Sequence, residues 1–155
     1  MKRKSRIFRL SLVVAALAAL APAATAGERA ALNRLAGPVP AEVLRVIDGD
    51  TIEVRAHIWL GHEVTTLVRL AGIDAPELKG RCEGERIAAR AAKARIEEKV
   101  AAGAVSLSDI RFEKYAGRVM GRVETDRGED LGAALASEGL VRFYRGAKRA
   151  GWCAP

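Results

Sequence analysis

Between Thr51 and Ile58 apolar and polar residues alternate with a period of two, the pattern of a strand with one face buried. Two apolar-rich runs flank it, Glu42–Ile47 and Val64–Leu70. Asp48-Gly49 and Gly61-His62 separate the three runs, and such pairs favour tight turns. The spacing predicts a three-stranded meander. From Glu83 to Ala102 the chain is rich in Ala, Arg, Glu and Lys, with Ile87, Ala91, Ala94 and Val100 near helical spacing and Gly103 as a stop. This reads as a helix of about five turns. Strand character returns at Val105–Phe112 and Arg118–Thr125. A short helix follows at Asp130–Glu138, ended by Gly139, then an extended segment at Leu140–Tyr144. The order β-β-β-α-β-β-α is that of a five-stranded OB-type Greek-key barrel, α+β by content.

The ends of the chain read differently. Lys2 to Arg9 is basic, Leu10 to Ala21 is apolar, and Ala24-Thr25-Ala26 has small residues at its first and third positions, the plan of a cleavable signal peptide. The expected organisation is a signal at 1–26 cut after Ala26, a short leader at 27–41, and one barrel domain at 42–155 with a basic tail. The mature protein is expected to be secreted or periplasmic and not membrane-bound. Removing the signal also changes the charge. The chain carries a formal +7, but Lys2, Arg3, Lys4, Arg6 and Arg9 precede the first acid, Glu28, leaving 21 basic residues against 19 acidic ones. Global charge therefore names no partner, and local placement of arginines must do so.

Two cysteines, Cys82 and Cys153, in an exported protein suggest a disulfide that would tie the tail to the domain, with two unrelated buried thiols as the other reading. No histidine is a credible partner for a catalytic cysteine, because His57 and His62 sit in or beside a hairpin and read as solvated.

The residues with chemical potential fall in four short segments: Asp48–Thr51, Arg69–Glu77, Lys114–Arg118 and Arg142–Arg145. Hydrolysis of a phosphodiester needs a hard cation on oxygen ligands, forked donors for the phosphate and a free carboxylate as base. Asp50 and Asp74 offer ligands, Arg69 and Arg118 a clamp, and Glu77 a base. Each also has a plain reading: Asp50 caps a turn, Asp74–Glu77 is a solvated loop fixed by Pro76, and strand arginines lie on the surface.

Taken in order, Val46-Ile-Asp-Gly-Asp-Thr-Ile52, Val68-Arg-Leu-Ala-Gly-Ile-Asp-Ala-Pro-Glu77, Lys114-Tyr-Ala-Gly-Arg118 and Gly132-Ala-Ala-Leu-Ala-Ser-Glu-Gly-Leu140 resemble the staphylococcal nuclease (thermonuclease) family over nearly all of residues 42 to 145. The resemblance implies an OB-type barrel and Ca²⁺-dependent cleavage of DNA and RNA that leaves 3′-phosphate ends. It implies that Asp50, Asp74 and the backbone carbonyl of Ala75 hold the metal, and that Glu77 is the general base. It assigns Arg69 and Arg118 to the scissile phosphate, and Lys114 and Tyr115 to the substrate; Tyr144 is read as a stacking or lining residue. The sequence departs from the family at Ala116, an extra residue before Gly117, and at Glu113, where aspartate is common. The family's long terminal helix is replaced by Lys148–Cys153. A monomer acting on single strands or frayed AT-rich duplex is expected, since a barrel-side pocket takes a splayed backbone and one stacked base. The alternatives are an OB-type module that binds nucleic acid without cutting it, and an adhesion role for the basic helix Arg86–Lys99. The acids Glu85, Glu97 and Glu98 make that helix read instead as a solvated face.

Overall fold

The computed structural model describes residues 33–113, 117–146 and 149–153. The expected signal segment and the substrate residues Lys114 and Tyr115 lie outside them. A short strand β1 (Arg34–Leu35) precedes β2 (Val39–Val46), β3 (Thr51–Trp59), β4 (His62–Leu70), β5 (Ile73–Asp74), α1 (Glu83–Lys99), β6 (Ala104–Phe112), β7 (Arg118–Thr125), α2 (Leu131–Ser137) and β8 (Arg142–Phe143). The expected meander is present, with β2, β3 and β4 successive antiparallel neighbours. β7 then lies parallel to β4, and β6 pairs with both β7 and β2. The five long strands thus close on themselves as the OB-type barrel, which leaves no central strand edge unpaired. β2 begins at Val39, inside the stretch expected to be leader, because its first residues pair with Val105 to Leu107 of β6.

The period of two in β3 is realised as buried Ile52, Val54 and Ala56, which meet Val68, Leu70, Leu107 and Val123 from the other strands. Helix α1 closes one side with Ala89, Ala92 and Ile96 fully buried and Val100 at its end. This corrects the expected face: Ile87 is 55% exposed, and Ala91 and Ala94 face solvent. The buried stripe runs through Glu85, Ala89, Ala92, Ile96 and Val100, a true helical repeat whose small residues are easily overlooked. Glu85, expected on the solvated face, is buried.

Small side chains on α1 bring its axis close to the barrel end. A Cβ at Gly49 would lie 3.0 Å from the Cβ atoms of both Ala75 and Ala92. The Asp48–Asp50 turn therefore needs glycine for space, and this contact fixes the turn against the loop after β5. That loop is held in turn by β8, where Asp74 pairs with Arg142 and the Tyr144 N–H donates to the Gly72 carbonyl at 2.8 Å.

Cys82, at the start of α1, is bonded to Cys153, so the expected disulfide is present and spans 71 residues. Replacing both cysteines by serine should lower the unfolding free energy by about 4 kcal/mol through the loop-closure entropy of the unfolded chain. Urea midpoints of the oxidised protein and the double variant check this. A loss below about 1 kcal/mol would show that the constraint on the unfolded chain is not the source of its stability.

Candidate active site

Where β3 and β4 begin and end together, Thr51 is paired with Arg69. That register sets Arg69 beside Asp50, and its guanidinium contacts the Asp50 carboxylate directly. Both are buried, at 7% and 5% exposure. Thr51 Oγ1 donates to Asp50 Oδ1 at 2.8 Å, and the Asp50 backbone N–H donates to Asp48 Oδ1 at 3.0 Å. The Asp50 carboxyl is pushed up to about 6 by burial, with Arg69 opposing the rise and Asp48 adding to it. Arg69 offsets only part of the cost of an ionised carboxylate at this depth.

Asp74 closes β5 and is as deeply buried, at 5% exposure. Trp152 Nε1 donates to its Oδ2 at 3.3 Å, and Arg149 Nε lies 3.0 Å from its Oδ1. The guanidinium is out of line with that oxygen, so Oδ1 is buried and accepts no hydrogen bond. A buried carboxylate oxygen with open lone pairs suits a hard cation, and the oxygen-donor set of Asp50, Asp74 and the Ala75 carbonyl is of the right kind. The three possible metal-ligand groups that converge within 4.8 Å among the described residues are elsewhere, at Cys82, Glu85 and Cys153. Their sulfurs are joined to one another and offer no thiolate. Asp50, Asp74 and Glu77 form no such trio.

Arg118 opens β7 opposite Leu67 of β4, two positions from Arg69, so the two arginines emerge on the same face of the parallel pair. Glu113 grips Arg118 at both Nε and Nη2. This fork fixes the plane of the guanidinium. Glu77 is exposed at the mouth, and Arg149 Nη1 reaches its Oε1 at 3.3 Å. The loop that carries Glu77 is braced from beneath: Glu85 accepts from the Arg81 N–H at 2.9 Å and the Glu77 N–H at 3.5 Å. Gly80 leaves room for that carboxylate, which a Cβ there would overlap.

These groups share a cleft of about 750 Å³, lined by Asp50, Arg69, Ala75, Glu77, Arg118 and Tyr144 among others. Six of the residues singled out in the sequence are thus brought together, and Asp74 lies just behind them. Arg149, Trp152 and Glu85 were not foreseen. The only sequence signal for the first two was the basic tail tied by a cysteine. By contrast, every cation of α1 faces an acid: Arg86 and Arg90 meet Glu83, Lys93 meets Glu97, Arg95 meets Glu98 and Glu138, and Lys99 meets Glu129 and Glu138. The helix offers acidic polymers no unpaired basic stripe.

A family model described as staphylococcal nuclease homologue matches residues 67–151. The match takes in Arg69, Asp74, Glu77, Arg118 and Arg149 but starts after Asp50, which the β3–β4 register joins to it. A micrococcal nuclease of Shigella flexneri is 33% identical over 109 residues, covering 67% of this chain. The chain spans 58% of that relative's length.

The folded protein holds the Asp50 proton more tightly than the unfolded chain, whose aspartate titrates near 3.8. The stability this group contributes is therefore whole below about pH 4 and lost as pH rises through about 6. In metal-free buffer Asp50→Asn should gain on the wild type by on the order of 3 kcal/mol between pH 4 and 7. Urea unfolding of both proteins across that range tests it, and a difference that stays flat with pH would contradict the assignment.

Proposed function

This chain belongs to the staphylococcal nuclease family, and from that premise we propose that it is a Ca²⁺-dependent phosphodiesterase that hydrolyses DNA and RNA. Water attacks phosphorus and the bond to the 5′-oxygen breaks, leaving 3′-phosphate ends. The observation that carries the reading is the placement of Arg69 and Arg118 on one face of the β4–β7 pair, in a cleft with buried Asp50 and solvent-facing Glu77 and with buried Asp74 adjoining.

Arg69 and Arg118 present planar donors to the non-bridging oxygens and stabilise the extra charge that builds on them. Glu113 and Asp50 hold those two guanidinium groups in place before substrate arrives. Glu77, exposed on a braced loop, takes the proton of the attacking water. Asp50 and Asp74, with the Ala75 carbonyl, would hold Ca²⁺, which when bound supplies Lewis-acid stabilisation of phosphate oxygen. Tyr144 lines the cleft where a sugar or base would rest. Lys114 and Tyr115 keep the substrate roles that the resemblance implies. Substrate is taken as a single or frayed strand, by a monomer that the N-terminal signal sends to the periplasm or medium. The other reading, a module that binds without cutting, is disfavoured because every chemically required side chain is retained.

Digestion of heat-denatured DNA by the oxidised mature protein tests this. Cleavage should need Ca²⁺ and stop with excess chelator. Glu77→Gln should lower the rate about 10²–10⁴-fold. Arg118→Lys should lower it about 10²–10³-fold, since lysine lacks the fork. A folded wild type that retains single-stranded DNA in chelator and never cuts it would establish the binding module instead.

A further inference from the structure

Beyond β8 the described residues 144–146 and 149–153 form a strap beside the site, anchored at both ends. At its start Asp74 pairs with Arg142, and at its finish Cys153 is bonded to Cys82. Between them the Arg142 guanidinium stacks on the Trp152 ring at 3.8 Å and donates to the Gly151 carbonyl at 3.0 Å. Two side chains of this strap then reach the same buried acid. Trp152 donates to one Asp74 oxygen and Arg149 sets its charge against the other, while also touching Glu77. No other cation is recorded against Asp74 or Glu77 among the described residues.

We propose that Arg149 is an exchangeable internal counter-ion of the cation site, delivered by the disulfide-tied strap, which offsets part of the charge of Asp74 and Glu77 in the free protein and yields Asp74 to the incoming divalent cation. The inference rests on the reading of Asp74 as a cation ligand. The geometry has the asymmetry that exchange requires. The Asp74 side chain is 7% exposed and fixed in β5, whereas that of Arg149 is 47% exposed. The acid cannot leave, and the guanidinium can turn to water at little desolvation cost. Its contact with Oδ1 is a charge contact without an aligned hydrogen bond, so the lone pairs a cation would use are not consumed. Once displaced, the positive charge stays tethered near Tyr144, whose ring centroid lies 5.9 Å from the guanidinium carbon. A divalent cation on Oδ1 would repel a guanidinium 3.0 Å from that oxygen, so the cation and Arg149 compete.

Ca²⁺ binding is measured without substrate, by calorimetry and by the emission of Trp152, whose indole N–H touches Asp74. The other tryptophan, Trp59, is 75% exposed on the β3–β4 hairpin and gives a constant background. Arg149→Ala should bind Ca²⁺ roughly tenfold more tightly than wild type, the gain being limited by screening of a half-exposed partner. Arg149→Lys should lie between the two, and Asp74→Asn should bind weakly. If Asp74→Asn weakens binding but Arg149→Ala binds no more tightly than wild type, the counter-ion role is overturned and the ligand reading stands. If Asp74→Asn binds as wild type does, or no form binds Ca²⁺, the ligand reading falls and the inference falls with it.

Discussion

Two carboxylates buried at one end of a small barrel set the terms for everything around them. A charged group taken out of water is costly unless positive charge is brought to it. Asp50 and Asp74 lie almost entirely out of solvent, and each has an arginine from a different part of the chain beside it. For Asp50 the partner comes from strand register, since Thr51 and Arg69 face each other across β3 and β4. For Asp74 it comes from the strap. Even so, burial still raises the Asp50 carboxyl, and one oxygen of Asp74 accepts no hydrogen bond. The site has unmet demand for positive charge, and that is the physical basis for the proposed cation.

The barrel also brings two arginines to this end, where the proposed function places the phosphate. Closing it requires β7 to run parallel to β4, and that pairing puts Arg118 on the face that carries Arg69. The chain must also cross from β4 to α1, and the crossing carries Asp74 and Glu77. Its conformation is set by contacts that have no part in the chemistry: Gly49 against Ala75 and Ala92, Glu85 under Arg81 and Glu77, and β8 against β5. The disulfide secures both the start of α1 and the end of the strap, so one covalent link serves the loop from below and above.

The barrel was legible because its strands carry their signal locally, in alternation and in turn residues. The helix was legible in extent but not in facing. Ile87 is the large apolar side chain near its start, yet the packed stripe includes Ala89 and Ala92, whose small size lets the helix approach the turn at Gly49. Glu85 could not be read as buried, since its partners are backbone N–H groups of a loop that sequence does not place. Arg69, Glu77, Arg118 and the two aspartates were legible through the ordered motifs. The contact of Arg149 with Asp74 was not, because it exists only once β8 and the disulfide have brought the strap back over β5.

In the proposed reading one divalent cation fills the unmet charge of Asp50 and Asp74. The most direct measurement is the anomalous difference map of crystals of the oxidised protein grown with Ca²⁺. One strong peak is expected between the carboxylates of Asp50 and Asp74, near the Ala75 carbonyl, with the Arg149 guanidinium turned away from Oδ1. A protein that cleaves DNA with Ca²⁺ yet shows no peak there, or a peak among other residues, would contradict it.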